Sequence, residues 1–463
     1  MKKYQYCIVC ALGVFALCAF GNTAGYGADV SRGAQPVSNS RLLKGKYKHM
    51  ENPSAMAGAE KSDNSGGAGK ACSFGLSSVC DIVNSANSDM RAATGVGFFY
   101  DYYAVYAGNV HGGLAGGSNY TGEMIFGLDF DLEKIARTKG LSFVISGAYA
   151  SGANLSNRIG NFFTVSESFV SESAAFYEMY LSQKLELADG YALKINLGRM
   201  SMASAFMNLP VFGYLVSGGM DNVPEAVFSN SPFTSSPTAT WGANVSVDMP
   251  QNLEATFGVY QVPLDINSPN YSGTKFSISA DDAYMALCQL QWSPEFACGN
   301  AGSLSGIYQI GAYYYGGYPQ QKFNGGVRQN AYGFYVQGQQ QIWRDSAKSG
   351  RSISLWCGAQ FAPVESLCTM PFMAYGGLQF QGIIPCRVQD SILVSWTGGW
   401  FSGDYADSLG ASRSCENVVE LTYVIALTNN ISIQPDIQYI IRPYGNPDIE
   451  DALVLAGQLI ISF

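Results

Sequence analysis

The sequence predicts an all-β fold: a transmembrane antiparallel β-barrel of about 16 strands behind a flexible N-terminal extension. Three observations carry that expectation. Charged residues make up only 13% of the 463 positions, while Gly reaches 53 and Tyr 29, and ordinary soluble domains carry about 25% charged residues. From residue 95 onward, short segments alternate apolar and polar residues with a period of two. Finally, the chain closes on an amphipathic strand. Leu453, Leu455, Gly457, Leu459, Ile461 and Phe463 share one face, and Val454, Ala456, Gln458, Ile460 and Ser462 the other. An open strand edge in lipid leaves N–H and C=O groups unpaired. The terminal strand ending at Phe463 therefore needs a partner, and the first alternating segment, Val96 to Tyr106, is the natural one.

Taken in order, residues 1–27 read as a secretion signal: Lys2 and Lys3, an apolar run from Ile8 to Phe20, then small residues between Gly21 and Ala28. No later apolar run approaches the roughly 20 residues of a spanning helix. Removal of the two lysines takes the net charge from −9 to −11. That acidity is spread along the chain and argues against a nucleic-acid partner and against a pore built to attract anions. Residues 28–93 read as a polar, largely disordered extension. Its stretch from Asn52 to Lys70 is rich in Ser, Gly, Ala and Asn, and Cys72 to Ala93 leaves room for a short helix. Eight cysteines follow the signal. Cys72 and Cys80 are neighbours in sequence and form the candidate disulfide, with free thiols or links to other envelope proteins as alternatives. There is no CxxC pair in the mature chain and His is scarce, so neither a zinc site nor another cofactor is expected.

The barrel is expected over 94–463. Sixteen segments alternate suitably, at roughly 95–107, 119–132, 141–151, 174–186, 191–199, 239–248, 253–262, 283–292, 305–315, 331–343, 351–361, 372–382, 390–401, 416–427, 431–441 and 452–463. In the second, Met124, Phe126, Leu128 and Phe130 alternate with Glu123, Asp129 and Asp131, which assigns a lipid face and a water face by chemistry alone. Short links such as Ala188 to Gly190 tend to alternate with longer ones at 151–173, 263–282, 316–330 and 402–415, as in a barrel with both ends in the periplasm. Pro435 falls inside a strand, where it requires a bulge or a weak local pairing. Residues 200–238 are out of scale for a loop. Their apolar content (Phe206, Leu209, Val211, Phe212, Leu215, Val216) would be costly in water, so this connection is expected to fold into the barrel and narrow it.

Several stretches, in order, resemble the carbohydrate-selective porin family, OprB-like, of Gram-negative outer membranes. They are Gly108 to Gly113 followed by Gly127 to Lys134, Asn154 to Ser166, Ala239 to Ala243 with Gly258 to Tyr260, and Glu416 to Tyr423 with Gln434 to Ile440. The resemblance runs from about Gly95 to Phe463. It implies a 16-stranded, water-filled channel in the cell outer membrane for passive, sugar-selective diffusion of small hydrophilic solutes. The partners it implies are the lipid bilayer and carbohydrates. A pore for other small solutes such as dicarboxylates, a disulfide-linked structural envelope protein, and assembly as a homotrimer stay open.

A passive pore needs polar groups that replace water's hydrogen bonds, and a constriction, but no nucleophile. Glu123, Asp129 and Lys194 fall on lumen phases of their strands. Arg158 lies in a loop resembling the family's pore-side loop, and Arg199 ends the strand that launches the long connection. These five are the candidate pore-lining or constriction residues; the alternatives are an ordinary solvated wall role for Glu123, Asp129 and Lys194, an external-loop salt bridge for Arg158, and pinning of the long connection for Arg199. Arg387 and Asp390 suggest an ion pair near a periplasmic turn. A hydrolase is not expected: His49 lies in the extension, and His111, in a Gly-rich loop near Ser118, has no evident acidic orienter.

Overall fold

A computed structural model describes residues 70–166, 173–220, 222–266, 272–298, 302–346 and 350–463. The expected signal, most of the extension and the side chain of Cys72 lie outside the described residues. A 25-residue helix, α1 (Lys70–Thr94), leads into the barrel strands. These are β1 (Val96–His111), β2 (Gly117–Asp131), β3 (Leu141–Gly152), β4 (Ser173–Glu186), β5 (Ala192–Met200), β6 (Thr240–Met249), β7 (Leu253–Val262) and β8 (Ala283–Trp292). The second half comprises β9 (Ser303–Gln321), β10 (Val327–Arg344), β11 (Ser352–Phe361), β12 (Phe372–Gln381), β13 (Ser391–Trp400), β14 (Cys415–Ala426), β15 (Ile431–Ile441) and β16 (Ala452–Ser462). Each pairs antiparallel with its sequence neighbours, and β16 returns to β1. A three-residue strand, Glu295–Ala297, pairs only with the foot of β9.

Closure follows the expected register. Tyr106 sits opposite Gly457 and Asp101 opposite Ser462, and Tyr100 and Phe463 exchange N–H···O bonds of 3.0 and 2.8 Å. Every barrel strand therefore has two neighbours, which satisfies the backbone in a solvent that offers no hydrogen bonds. The two faces also separate as the alternation requires: Leu455 is 46% exposed on the outer wall and Gln458 is 2% exposed on the inner one.

Two local departures have clear causes. Residues 316–330 were expected to form a long connection, but β9 and β10 continue through most of it, with Gln320 opposite Arg328 and Gln321 opposite Val327. The Gly316 to Pro319 run, which reads as turn chemistry, is absorbed as an irregularity in the ladder between Gly316 and Gln320. At Pro435 the β14–β15 pairing skips from Thr422–Asp436 to Ile425–Ile433, because proline has no N–H to give to β14.

The expected Cys72–Cys80 disulfide is corrected by the helix itself. Both positions lie on α1, and eight residues of helix separate them by about 12 Å along the axis, beyond the reach of a disulfide. Cys80 is a buried free thiol, with Sγ 3.5 Å from Thr428 Oγ1.

Candidate functional site

The lumen is shaped by the connection between β5 and β6, residues 201–239, which turns inward and is buried along most of its length. Its apolar side chains pack on the inner wall in two clusters. Val211, Phe212, Leu215 and Val216 meet Trp356, Met373, Tyr375 and Leu393, while Met202, Phe206 and Met207 meet Tyr260, Met285 and Tyr335. A segment buried in this way must find partners for its backbone polar groups. The inner wall supplies them from several strands.

Glu178 on β4 accepts from Ser201 N–H (2.9 Å) and Ser204 Oγ (3.0 Å). Gln289 on β8 accepts from Met207 N–H at 3.0 Å. Gln309 on β9 donates to Asn208 O at 2.9 Å, and Gln339 on β10 accepts from Val211 N–H at 3.2 Å. Across the lumen, Gln434 on β15 donates to Tyr214 O at 2.8 Å. Glu420 on β14 takes both Val216 N–H (2.6 Å) and Ser217 N–H (3.2 Å) on one oxygen. The connection is thus tied to opposite walls of the barrel, as a constriction element must be. A second inward loop, between β3 and β4, is held similarly: Glu416 accepts from Phe162 N–H (2.6 Å) and Phe163 N–H (2.7 Å).

Where the carboxylates serve as loop anchors, the wall between them is made of amides and phenols. Gln309 donates to Gln291 at 2.7 Å, Gln337 donates to Gln309 at 2.6 Å, and Tyr375 OH donates to Gln337 at 2.8 Å, forming one chain across β8 to β12. Near the outer mouth Phe162, Phe401, Tyr405 and Tyr444 form an aromatic cluster with ring centroids 5.1 to 6.4 Å apart. The Arg413 guanidinium lies 4.8 Å from the centre of the Tyr444 ring, and burial lowers its pKa from the ordinary arginine value.

The five sequence candidates are scattered. Glu123 is buried on the lumen side and accepts from Ser236 Oγ at 2.5 Å, so it too is an anchor of the inserted connection. Asp129 lies at the foot of β2 in an ion pair with Arg91 of α1. Lys194 is exposed on the lumen phase near the foot of β5. Arg158 does not reach the constriction. It is exposed at the outer rim, with Nη1 3.3 Å from Gly116 O in the β1–β2 turn. Arg199 shares the outward phase of β5 with Leu197 and is only 1% exposed. Its guanidinium donates to Tyr177 O (3.3 Å) and Lys275 O (3.5 Å), so the segment around Lys275 covers it from outside. The strand phase places Arg199 in the rim and away from the eyelet, because the expectation rested on its position before the long connection and ignored period-two alternation. Arg387 Nε meets Asp390 Oδ2 at 2.8 Å in the expected periplasmic turn.

Glu178, Gln289, Gln309, Gln339, Glu416 and Glu420 were not singled out from sequence as site residues. Their signal was present, since each is a polar residue on the inward phase of a strand, but alternation alone cannot tell an anchor from an ordinary wetted wall residue.

Comparison with known proteins agrees with this architecture. Porin B of Pseudomonas aeruginosa is 25% identical over 406 residues, covering 77% of this chain and 86% of that protein. The high-pH structure of Pseudomonas putida OprB superposes with a TM-score of 0.74 at 22% identity, covering 82% of this chain and 97% of that one. The low-pH structure of the same protein gives 0.53 at 18% identity, covering 82% and 96%. The model of the carbohydrate-selective porin family, OprB, matches residues 115–463, and with a closed sixteen-stranded barrel and an inward-folded connection between β5 and β6 the chain belongs to that family, as a porin of the outer membrane.

Proposed function

We propose that neutral, polyhydroxylated solutes of sugar size diffuse past the inserted connection along the amide-lined inner wall, and that the protein performs no chemistry on them. The observation that carries this reading is the pair of half-buried amides on the inward faces of β8 and β10, Gln291 and Gln341, Gln291 being the accessible end of an otherwise buried chain through Gln309 and Gln337 to Tyr375. An amide both donates and accepts, so it exchanges readily with sugar hydroxyls without holding a solute so tightly that it cannot leave. Carboxylates at Glu178, Glu416 and Glu420 are engaged as acceptors for loop N–H groups, and Arg158 and Arg199 stand at the rim. Selection of dicarboxylates would require cations facing the narrow part of the lumen. His111, for which the sequence offered no acidic orienter, does meet one, Glu450, at 3.3 Å in an exposed pair, while the nearby Ser118 Oγ is engaged with Tyr106 OH at 2.7 Å.

Ion current through the purified protein in planar bilayers, titrated with glucose, maltose and succinate, tests the reading. Sugars should reduce the current in a saturable way and succinate should not. Preferential reduction by succinate would replace the sugar reading with a dicarboxylate one. A structural role through disulfides rests on Cys386, a free thiol exposed in the periplasmic turn before β13. Reducible high-mass ladders on non-reducing gels would support that additional role.

A further inference from the structure

The helix α1 has three distinct sides, and one of them has no counterpart among the described residues. Cys80, Asn84, Asn87 and Arg91 recur at helical spacing and face the barrel. Asn87 gives its amide N–H to Phe98 O (2.8 Å) and takes Phe98 N–H (2.9 Å), completing the edge of β1 where β16 has already ended. Asn84 meets Asn430 at 2.8 Å in the β14–β15 turn. The helix therefore runs along the periplasmic rim, from that turn, beneath the end of β16, to the foot of β1.

Chirality then fixes which flank faces where. In a strand of L-residues rising from the periplasm, an outward-pointing residue directs its N–H and C=O to one particular side. On β1 that side is the one where Tyr100 meets Phe463 and Asn87 meets Phe98. A right-handed helix running toward β1 with its docking face uppermost turns Asp81, Ser85 and Ser88 toward the pore axis. The same winding turns Leu76, Val79, Val83 and Met90 outward, and leaves Ile82 and Asp89, seven residues apart on one face, pointing away from the barrel. Arg91 checks the assignment, since it lies just inward of the docking face and reaches the lumen-phase Asp129. The outward flank is apolar and open: Leu76 is 48% and Val79 57% exposed. It is continuous with the outer wall of the barrel at Val96, Phe98 and Tyr100, the lowest outward residues of β1.

From this geometry we propose that the outward flank of α1 lies in the periplasmic leaflet of the membrane, binding phospholipid with Leu76, Val79 and Val83. The polar flank then borders the pore mouth. An amphipathic helix with this division rests in the interfacial plane without spanning it. The proposal rests on the barrel being in a bilayer, and the test separates the two. Val79, Asp81 and Leu455 would each be replaced by p-benzoylphenylalanine in the full chain, reconstituted in phosphatidylethanolamine and phosphatidylglycerol vesicles, and irradiated. The heat-dependent gel shift of a folded barrel would be confirmed for each.

The expected result is a lipid adduct at Val79 comparable to that at Leu455 and roughly tenfold above Asp81. A lipid adduct at Leu455 with none at Val79 would overturn the proposal and leave the porin intact. So would capture at Val79 of a second copy or of the chain's own residues 28–69. Absence of lipid adducts at Leu455 as well would overturn both.

Discussion

The clearest quantitative consequence concerns Glu420. One carboxylate oxygen accepts two N–H groups of the inserted connection, from Val216 at 2.6 Å and Ser217 at 3.2 Å, and the other oxygen receives Ser395 Oγ at 3.4 Å. Val216, Ser217 and Glu420 are all buried. Glu420→Ala would leave two buried backbone donors unsatisfied, at roughly 1–3 kcal/mol each, for a total of about 2–6 kcal/mol. The barrel ladder does not depend on this side chain, since β14 keeps its pairing with β13 and β15. The cost therefore falls on the docked state of the connection, and the expected outcome is local release into a set of looser positions while the barrel remains closed. Glu420→Gln keeps an acceptor oxygen but loses the charge that roughly doubles the strength of such bonds, so its effect should be intermediate. Single-channel conductance, with heat-modifiable mobility as the check on assembly, reads the outcome. Conductance should rise, and discrimination between glucose and maltose weaken, in the order Ala, Gln, parent. An unchanged conductance for correctly inserted Glu420→Ala would refute the assignment of residues 201–239 as the constriction element.

Three other expectations are independent of that one. Leu455→Arg, on the lipid face, should lower barrel stability by about 2–4 kcal/mol near the midplane; Gln458→Arg, facing inward, should assemble better, and the reverse order in a urea-unfolding comparison would invert the assigned faces. Deletion of Phe463 removes the two hydrogen bonds to Tyr100 and should slow membrane insertion more than deletion of residues from any outer loop, measured by the rate of appearance of the heat-modifiable band. Burial pushes the Cys368 thiol up to about 12, so almost none is thiolate at pH 8. Brief treatment with iodoacetamide at that pH should leave Cys368 unmodified and label the exposed Cys386, as read by peptide mass spectrometry; equal labelling would contradict the burial of Cys368.

The barrel was legible because its two governing signals are local and repeated. Alternation at period two identifies a strand and assigns its faces at once, so Leu455 and Gln458 could be placed on opposite walls without knowledge of any contact. Closure was equally accessible, since an unpaired edge in lipid is so costly that the last strand had to return to the first. The scale and apolar content of the long connection announced an inward fold, and its residues are buried. What remained hidden depends on pairing between distant residues. Arg199 looked like a gate from its neighbour in sequence, yet its partners are Tyr177 O and Lys275 O, 22 and 76 positions away. Cys72 and Cys80 looked like a disulfide because they are close in sequence, and the helix that contains both keeps them apart.

The buried polar residues of the inner wall follow a further rule that sequence phase does not contain. An inward strand position in a porin faces either water or a folded-in segment, and the two environments ask for different chemistry. Water tolerates any polar group, whereas a buried backbone N–H needs an acceptor at one place and in one orientation. Carboxylates at Glu178, Glu416 and Glu420 and amides at Gln289 and Gln339 all meet that second demand, receiving N–H groups from the inserted segments. Much of the acidity of the inner wall is thereby engaged in holding loops. It follows that net charge read from composition is a poor guide to what such a pore admits: selectivity belongs to the groups left facing water after the loops have taken their partners. Lys194 at the foot of β5, exposed on the lumen phase, is one such group, and Gln291 and Gln341, half-buried on the inward faces of β8 and β10, are others.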